Sequence, residues 1–403
     1  MSWENVILGD ISTNIQTGPF GSQLHQADYS KYGTPVVMPK DMIAGKIVED
    51  SIARVSNDHV ERLNRHKIIP GDILYSRRGD VGKCAIATER ERDWLCGTGC
   101  LKVTVDQDKA EPQFVFYQLQ KPETVGWVIN HAVGATMLNL NTSILSAVPV
   151  EIPELKTQRR IVAVLSGYDA LIENNQKQIK LLEEAAQRLY KEWFVDLRFP
   201  GYEDTPIVDG VPEGWKKEKL VDIANVQYGF AFDGSLFNTQ GKGTPIVRIR
   251  NIPNGITNDY TTQEAAEQYI VSNGDIVVGM DGEFHINSWS GNVAYLVQRT
   301  CKFEPKKEMM RGWLLQAIYE PIKFFEKTVV GATVAHLGKK HIDTIELLTG
   351  PDELYVPFEY LFQKRQLLLN QNILLAEARN RLLPKLMSGE IEVYDAAIYK
   401  KCY

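Results

Sequence analysis

Basic side chains gather at three places in this 403-residue chain. The first group is His59, Arg62, Arg65, His66 and Lys67, the second is Arg77, Arg78 and Lys83 within SRRGDVGK, and the third is Arg248 with Arg250. Cationic side chains that lie this close together can neutralise phosphates, which is the chemistry that nucleic-acid binding requires. The formal net charge is -6, so a solvated surface remains the alternative for each group, and the acidic remainder could face a protein partner.

Signatures of catalysis are missing from the sequence. No Gly-x-Gly-x-x-Gly is present to hold a dinucleotide or S-adenosylmethionine, and the Gly-rich stretch before Lys83 does not complete a phosphate-binding loop. No two prolines are adjacent, so the Asp/Asn-Pro-Pro-aromatic loop of amino-methyltransferases is absent, and no His pair has metalloprotease spacing. Glu154 and Lys156 have nuclease-like spacing without an acidic partner. These absences favour a non-catalytic reader over an enzyme with a cryptic nuclease or methyltransferase site.

Composition and cysteine usage indicate a cytoplasmic protein. The chain is 44% hydrophobic and 24% charged, which suffices for two ordinary cores. No apolar run approaches the ~20 residues that cross a bilayer, and the start lacks a secretory signal, so we expect no membrane association. Five cysteines without an export signal indicate reduced thiols. Cys96 and Cys100 lack a second pair for zinc, and we expect them to be buried thiols.

The sequence repeats itself after about 200 residues. The paired segments, in chain order, are Trp3, Leu8 and Asp10 with Trp215, Leu220 and Asp222; GTPVV at 33 with GTPIV at 243; GDI at 71 with GDI at 274; VGAT at 133 with VGAT at 330; and LLEEAAQRL at 181 with LLAEARNRL at 374. This order predicts a duplicated unit and two domains. Two similar modules on one chain can approximate two-fold symmetry and suit an asymmetric, two-part target. A two-repeat scaffold without such a target remains open.

Two long helices are predicted, one after each repeated block. In the first helix, apolar residues alternate in steps of three and four at Leu165, Tyr168, Ile172, Asn175, Ile179, Leu182, Ala186, Leu189 and Trp193, the spacing of a coiled-coil seam. Asn175 is the one amide on this stripe, either buried and register-fixing or facing solvent. The second helix starts near Pro357 and carries two apolar rows, one through Phe362, Gln366, Leu369, Ile373, Ala376 and Leu383 and one through Leu361, Leu368, Leu375 and Leu382, so its register is ambiguous.

About 35 residues of helix reach roughly 50 Å, which makes such a pair a possible ruler. If the helices are antiparallel, the globular blocks lie at opposite ends, related by an approximate two-fold axis. Half-sites on DNA are spaced by ~34 to 36 Å per turn, so a spacer of this length could place both blocks on one face of a duplex.

The repeated blocks read as short strands cut by Gly and Pro, with helical patches near 111–130 and 309–326. We predict an α+β fold with two β-rich mixed domains, each with a curved antiparallel sheet. The predicted boundaries are 1–152 for the first β-rich domain, 153–198 for the first helical region, 199–352 for the second β-rich domain, and 353–403 for the second helical region and tail.

The residues resemble one known family, the specificity subunits of type I restriction-modification enzymes. IPELKTQRRIVAVLSGYDALIENNQKQIKLLEEAAQRLYKEWF and EARNRLLPKLMSGEIEV are similar to the family's central and C-terminal helical regions. QTGPFGSQL, GTPVVMPKDM, GDILYSRRGDVGKCAI and VGATMLNLN, with GTPIVRIRNI, GDIVVGMDGEF and VGATVAHLG as second copies, resemble segments of its target recognition domains. The resemblance runs from about Trp3 to Val393. The second block departs from the first by carrying Val278-Gly-Met-Asp281-Gly-Glu283 in place of the basic stretch SRRGDVGK.

The resemblance implies two target recognition domains that each read half of a split target on double-stranded DNA, with the helices setting the spacing. It also implies two adenine-N6 methyltransferase (M) subunits held by the helices, and motor-nuclease (R) subunits recruited to the complex. S-adenosylmethionine, ATP and magnesium would belong to those partners and not to this chain. On this basis the predicted DNA contacts are Lys40, Arg77, Arg78, Lys83, Arg248, Arg250 and Asn251. The predicted helix-packing residues are Leu165, Ile172, Asn175, Ile179, Leu182, Leu189, Leu368, Leu375 and Leu382.

Overall fold

The structure is a computed structural model that describes residues 3–134, 137–328 and 335–394. Most of the two VGAT segments, at 135–136 and 330–333, and the end of the tail beyond residue 394 lie outside the described residues. The chain forms two compact units. The first unit is 1–168 with 378–403, and the second unit is 169–377. Among the described residues, no helix combines the length and the apolar character needed to cross a bilayer.

The first unit is built from short strands and helices. Its strands are β1 (Glu4–Ile7), β2 (Ser12–Thr17), β3 (Thr34–Val37), β4 (Met42–Ile43), β5 (Lys46–Ile47), β6 (Ala53–Val55), β7 (Ile73–Ser76), β8 (Cys84–Ile86), β9 (Leu95–Cys96), β10 (Cys100–Val105) and β11 (Pro149–Ile152). Its helices are α1 (Asn57–Arg62), α2 (Pro112–Leu119), α3 (Pro122–His131) and α4 (Thr142–Ser146), and α5 (Leu155–Tyr190) begins here.

The second unit is also built from short strands and helices. Its strands are β12 (Ile207–Val208), β13 (Val211–Pro212), β14 (Lys216–Lys219), β15 (Ala224–Tyr228), β16 (Phe237–Asn238), β17 (Thr244–Val247), β18 (Tyr260–Thr261), β19 (Ile270–Val271), β20 (Ile276–Gly279), β21 (Ile286–Ser288), β22 (Ala294–Leu296), β23 (Thr300–Pro305) and β24 (Glu346–Thr349). Its helices are α6 (Leu220–Ile223), α7 (Arg311–Ala317), α8 (Tyr319–Thr328), α9 (Lys339–Ile342) and α10 (Val356–Met387), which ends in the first unit.

Three strand arrangements recur in the two units, although the sheet with the parallel pair has three strands in the first unit and five in the second. A four-stranded antiparallel sheet runs β2-β10-β7-β8 in the first unit and β15-β23-β20-β21 in the second. A second sheet contains one parallel pair, β3 with β9 and β17 with β22. A third pairing joins the strand that opens each repeat to the strand that closes it, β1 with β11 and β14 with β24. The duplication seen in the sequence therefore extends to strand order.

The repeated Gly-Thr-Pro motif has a steric cause. Gly33 has φ +108° and Gly243 has φ +85°, a region that glycine occupies without penalty. A Cβ on Gly33 would lie 2.2 Å from the carbonyl oxygen of Val55, and a Cβ on Gly243 would lie 2.1 Å from that of Thr261. Only glycine lets the chain enter β3 or β17 so close to the neighbouring strand.

The repeated Gly-Asp-Ile motif marks an ion pair that is buried in the first unit and half-buried in the second. The Asp72 carboxylate accepts a hydrogen bond from the Ile69 backbone at 2.9 Å and lies 3.4 Å from Lys102 Nζ. Lys102 also donates to the Lys67 carbonyl at 2.5 Å. In the second unit, Asp275 accepts from the Ser272 backbone at 2.9 Å and lies 3.4 Å from Lys302, which donates to the Ile270 carbonyl at 2.7 Å. Each pair ties the centre of the four-stranded sheet to the turn that precedes it.

The long helices pack antiparallel, because later residues of α5 meet earlier residues of α10. Within the second unit, Arg365 donates to Glu183 at 2.7 Å, and the Trp193 ring contacts the edge of Phe358 at 6.0 Å between centroids. The α helix α5 ends at Tyr190 and continues as a π-helical turn over Lys191–Val195. Pro384 lies inside α10, which ends one turn later. The predicted α+β fold with two repeated β-rich modules and two long antiparallel helices is confirmed.

Replacing Lys102 with methionine should destabilise the first unit by about 3 to 5 kcal/mol, because it leaves the Asp72 carboxylate buried without its cation. Lys177 is a suitable control, since it is 72% exposed and pairs with Glu173 one helical turn away. Lys177→Met should change stability by no more than about 0.5 kcal/mol. Urea denaturation followed by circular dichroism measures both. Equal midpoints for the two variants would show that the buried pair contributes nothing to the fold.

Candidate nucleic-acid interface

The parallel strand pair decides where the basic turns of the first unit lie. Since parallel strands run in the same direction, the residues that follow β3 and β9 leave the sheet at the same end of the strands. These are the 3₁₀ turn Pro39–Asp41 and the turn 97–99. A Cβ on Gly99 would lie 2.9 Å from Pro39, so the two turns are in contact. The Arg77 N–H donates to the Gly99 carbonyl at 2.9 Å and brings the turn 77–83 to the same place. We call these three turns the first edge.

Lys40 and Lys83 share the environment of one buried carboxylate on the first edge. Burial raises the pKa of Asp41, and the Met38 N–H, Lys40 and Lys83 oppose that rise. Lys40 is 56% exposed on its side chain, lies 3.7 Å from the Asp41 carboxylate, and donates to the Ser51 carbonyl at 3.0 Å. Both cations are therefore at the surface of the first edge, with Asp41 beneath them.

Arg77 and Arg78 differ in their environment. The Arg77 guanidinium lies over the Phe20 ring, 5.6 Å from its centroid, and Phe20 is itself 49% exposed. Arg77 Nε is buried and has no hydrogen-bond partner among the described residues. Arg78 is exposed and forms a bridge with Asn139 through the backbone. Arg77 is thus oriented by an aromatic ring, whereas the Arg78 side chain projects into solvent.

The second unit forms an equivalent edge. The 3₁₀ turn Ile249–Asn254 follows β17, and the turn 297–299 follows β22, its parallel partner. The Met280 N–H donates to the Arg299 carbonyl at 2.9 Å, as Arg77 does to Gly99. A Cβ on Gly279 would lie 3.1 Å from Ile249, so the end of β20 packs on the first of these turns. We call the turns 248–254, 280–285 and 297–299 the second edge.

Arg248 on the second edge is oriented by an aromatic ring, as Arg77 is on the first edge. Its guanidinium lies over the Phe237 ring, 5.5 Å from the centroid. Its backbone N–H donates to Asn251 Oδ1 at 2.9 Å, which closes the turn. Met38 and Asp41 close the matching turn of the first unit at the same distance. The predicted contacts Arg248 and Lys40 therefore belong to a turn that both units build in the same way.

Arg250 and Asn251 are both bonded to Asp259. Arg250 Nε donates to Asp259 Oδ2 at 3.1 Å, its Nη2 donates to Oδ1, and Asn251 Nδ2 also donates to Oδ2 at 3.1 Å. Burial raises the pKa of Asp259, but the hydrogen bonds from Arg250 and Asn251 outweigh it, and the pKa is lowered. The same hydrogen bonds raise the pKa of Arg250. Both ends of the Asn251 amide are thus engaged within the unit, while the Arg250 side chain stays 62% exposed.

Arg299, Asp281 and His336 on the second edge were not anticipated from the sequence. The Asp281 carboxylate accepts a hydrogen bond from Arg299 and lies 2.5 Å from His336 Nδ1. Burial raises the pKa of Asp281, but the bonds to His336 and Arg299 outweigh it and lower the pKa. One signal in the sequence could have identified Asp281. The second block lacks the SRRGDVGK stretch, and Asp281 stands where the first unit has Arg78.

The basic cluster at 59–67 is mostly bonded within the first unit. His59 lies 3.3 Å from Asp28, Arg62 donates to the Gln23 carbonyl at 3.0 Å, and Lys67 lies 3.1 Å from Glu61. His66 is buried, and burial lowers its pKa to about 4, so it is neutral at pH 7. This cluster therefore offers fewer cations to a ligand than its sequence indicates.

Cys96 and Cys100 are buried side chains beneath the first edge. Burial raises the pKa of Cys96 to about 12 and that of Cys100 well above its usual value. Zinc binds the thiolate form, so their environment disfavours a metal. Among the described residues, no group of three or more His, Cys, Asp or Glu side chains is placed to hold a metal ion.

The helix-packing residues proposed from the sequence are buried or half-buried. Leu165, Asn175 and Ile179 are buried, and Ile172, Leu182, Leu189, Leu368, Leu375 and Leu382 are half-buried. Leu165 packs in the core of the first unit with Leu386 and Met387. Asn175 is 7% exposed, so of the two environments considered for it, the structure shows the buried one.

Comparison with known proteins identifies the same family in both repeats. The family model for the type I restriction modification DNA specificity domain matches residues 1–184 and 212–353. The MjaIX specificity subunit of Methanocaldococcus jannaschii is 24% identical, with 90% of this chain and 87% of that protein covered. The HindI specificity subunit of Haemophilus influenzae is 22% identical, with 96% and 99% covered.

A solved structure shares the fold. The type I restriction-modification S subunit from M. genitalium superposes with a TM-score of 0.61 at 15% identity, with 96% of each chain covered. The family model matches well over half of this chain, with one match in each repeat. The chain therefore belongs to the type I restriction-modification DNA specificity family, whose members are non-catalytic specificity subunits of a complex that carries its activities elsewhere.

Proposed function

We propose that this subunit reads a bipartite DNA target, with the first edge on one half and the second edge on the other. The observation that carries the proposal is that both units bring cations to the same edge of the same parallel strand pair. Arg77, Lys83 and Lys40 lie there in the first unit, and Arg248 and Arg250 lie there in the second. Cations placed by a rigid sheet can hold a duplex in one register through its phosphates.

The two edges differ in chemistry, which supports two unlike half-sites. At equivalent positions the first unit has Arg78, Asn139 and Gly99, and the second has Asp281, His336 and Arg299. Base readout depends on the donor and acceptor pattern that side chains present in the groove. A common scaffold with exchanged side chains would therefore give two different base preferences.

The long helices support a fixed spacer between the half-sites. The α helix α5 has 36 residues, which is about 54 Å at 1.5 Å per residue. Both α5 and α10 continue from one unit into the other. Half-sites one helical turn apart have centres ~34 to 36 Å apart. We propose that the length of these helices sets the number of base pairs between the two half-sites.

The helices are also the proposed docking surface for two M subunits. On α10, Val356, Tyr360, Leu367 and Leu374 recur in steps of four and seven, and each is more than half exposed. Large apolar side chains aligned on one helix face are typical of a protein-protein contact. R subunits would join this assembly. S-adenosylmethionine, ATP and magnesium would be used by the partner subunits.

Co-expression of this chain with its M subunit in a host that lacks other adenine methyltransferases tests the proposal. Single-molecule sequencing of the genome should recover methylated adenines in one motif, with two specific halves separated by a fixed number of unspecified bases. A continuous motif would contradict the two-edge reading. Complex formation without any sequence-specific methylation would indicate a protein scaffold.

Replacing both Arg77 and Arg78 with alanine should weaken DNA binding by the complex, because two cations leave the first edge. If both contact phosphates, the slope of log affinity against log salt should fall by about 2, at about 1 per contact. The matched control replaces Arg92 and Lys109, which are 53% and 57% exposed in the same unit but lie on other turns. Fluorescence anisotropy across a salt series measures both. Equal affinity and slope for the two double variants would remove Arg77 and Arg78 from the contact surface.

A further inference from the structure

Three side chains on the second edge form one hydrogen-bonded group. Arg299 Nη1 donates to Asp281 Oδ2, and His336 Nδ1 lies 2.5 Å from Asp281 Oδ1. The Arg299 side chain is 67% exposed and that of His336 is 60% exposed, whereas Asp281 is only 11% exposed. A nearly buried carboxylate thus holds two donor-bearing side chains next to each other at the surface.

The backbone at Arg299 is held in a conformation that favours glycine. Arg299 has φ +66°, a left-handed value that is uncommon for a residue with a side chain. The equivalent position in the first unit is Gly99, since Arg77 and Met280 donate to these two carbonyls at the same distance. Backbone strain of this kind persists where the surrounding structure enforces it and concentrates at functional sites. Gly99 does not share this left-handed backbone, so the strained conformation belongs to the second unit alone, and Arg299 is a candidate for function.

Arg299 keeps most of its hydrogen-bonding capacity available. Among the described residues, its recorded contacts use Nη1 alone. Arg250, on the neighbouring turn, already uses both Nε and Nη2 on Asp259. The Nε and Nη2 donors of Arg299 form the planar fork that matches the O6 and N7 acceptors of guanine in the major groove. Asp281 orients this fork from behind by binding the remaining nitrogen.

The position of Arg299 places this fork among the cations of the second edge. Val247 and Leu296 are paired in parallel strands, so Arg248 and the turn that carries Arg299 leave the sheet in the same direction. Arg248 is oriented by Phe237 and Arg250 by Asp259. Cations on phosphates fix register without reading sequence. Arg299 combines two unused donors with a carboxylate that anchors its third nitrogen, so its fork is the one on this edge that is both oriented and available for a base.

We propose that Arg299 determines specificity by reading one guanine in the second half-site, with Asp281 as the positioning residue. His336 lies against the other oxygen of the same carboxylate. This inference rests on the proposed function and names a residue for it. The first unit has Gly99, Arg78 and Asn139 at these positions, so the first half-site lacks this readout.

The test uses the complex with its M subunit and duplexes of its methylated motif, in which each guanine of the second half is replaced singly by 7-deazaguanine. This base lacks the N7 acceptor but keeps its pairing. The wild-type complex should lose about tenfold in affinity at one position, which corresponds to about 1.4 kcal/mol. Arg299→Ala should bind the unmodified duplex more weakly and show no further loss at that position. Arg299→Lys, which keeps the charge and lacks the fork, should give the same loss of discrimination.

Asp281→Asn should reduce the 7-deazaguanine penalty at the same position and leave the penalties at other positions unchanged. A merely structural role for Asp281 would instead weaken binding to every duplex alike and lower the midpoint of thermal unfolding. The control is Arg198→Ala, which removes a 59% exposed arginine paired with Glu192 elsewhere in the same unit. It should reproduce the wild-type pattern at every guanine.

Three results would overturn the inference. The first is an Arg299→Ala variant that keeps the full 7-deazaguanine penalty at every guanine. The second is a second half-site that has no guanine on either strand. The third is an Arg299→Ala variant that binds all duplexes more weakly by the same factor and has a shallower salt slope, which marks a phosphate contact. A wild-type complex that does not distinguish its motif from unrelated DNA would overturn the proposed function as well. A discriminating wild type with an unchanged Arg299→Ala pattern would overturn only the role of Arg299.

Discussion

Parallel pairing of two short strands is the constraint on which both edges depend. In each unit the strand that begins at the Gly-Thr-Pro motif pairs in parallel with a strand about 50 to 60 residues later, whereas the other pairings between strands of the described residues are antiparallel. Parallel strands end at the same side, so the turns after them must meet. An antiparallel pairing would send Pro39–Asp41 and Gly99 to opposite ends of the sheet and disperse the cations.

A buried Lys–Asp pair in the first unit and a half-buried one in the second stabilise this arrangement. Lys102 lies on β10 and Lys302 on β23, each a central strand of its four-stranded sheet. Each lysine contacts the turn that precedes the neighbouring strand, β7 or β20. Because a buried ion pair contributes more to specifying an arrangement than to net stability, its presence in both units favours a role in fixing strand register. The side chains of the turns at the edges can then differ between the units while the strand register is kept. Asp41 and Asn251 close the same turn, one as a carboxylate and one as an amide.

Much of the fold was predictable from local pattern. The three-four spacing from Leu165 to Trp193 predicts α5 because helical periodicity is a local property, and Asn175 stands out on that stripe as the one amide. The duplicated Gly33 and Gly243 mark the same strand entry because a Cβ would clash there. The parallel pairing was not predictable, since it joins segments far apart in sequence and the expected sheet was antiparallel. The apolar stripes of the long helices predicted that the helices pair. They did not predict which residues are in contact, such as Arg365 with Glu183.

The sequence predicted part of the candidate site, because it shows where charges cluster but not how the side chains are bonded. Clustering of charge located Arg77, Arg78, Arg248 and Arg250, but it does not reveal which side chains are already engaged. Asn251 is held at both ends by its own turn and by Asp259. Arg299 is near a single basic residue in sequence, Lys302, and stands where the first unit has a glycine, so the three-dimensional equivalence of the two edges is what identifies it.

We propose that each unit reads its own half of the target independently of the other. Exchange of residues 199–352 for the corresponding domain of a relative with a different motif, followed by single-molecule mapping of methylated adenines, tests it most directly. If the units read independently, one half of the motif should change to that of the donor, while the other half and the spacer length are retained. A change in both halves, or in neither, would contradict it.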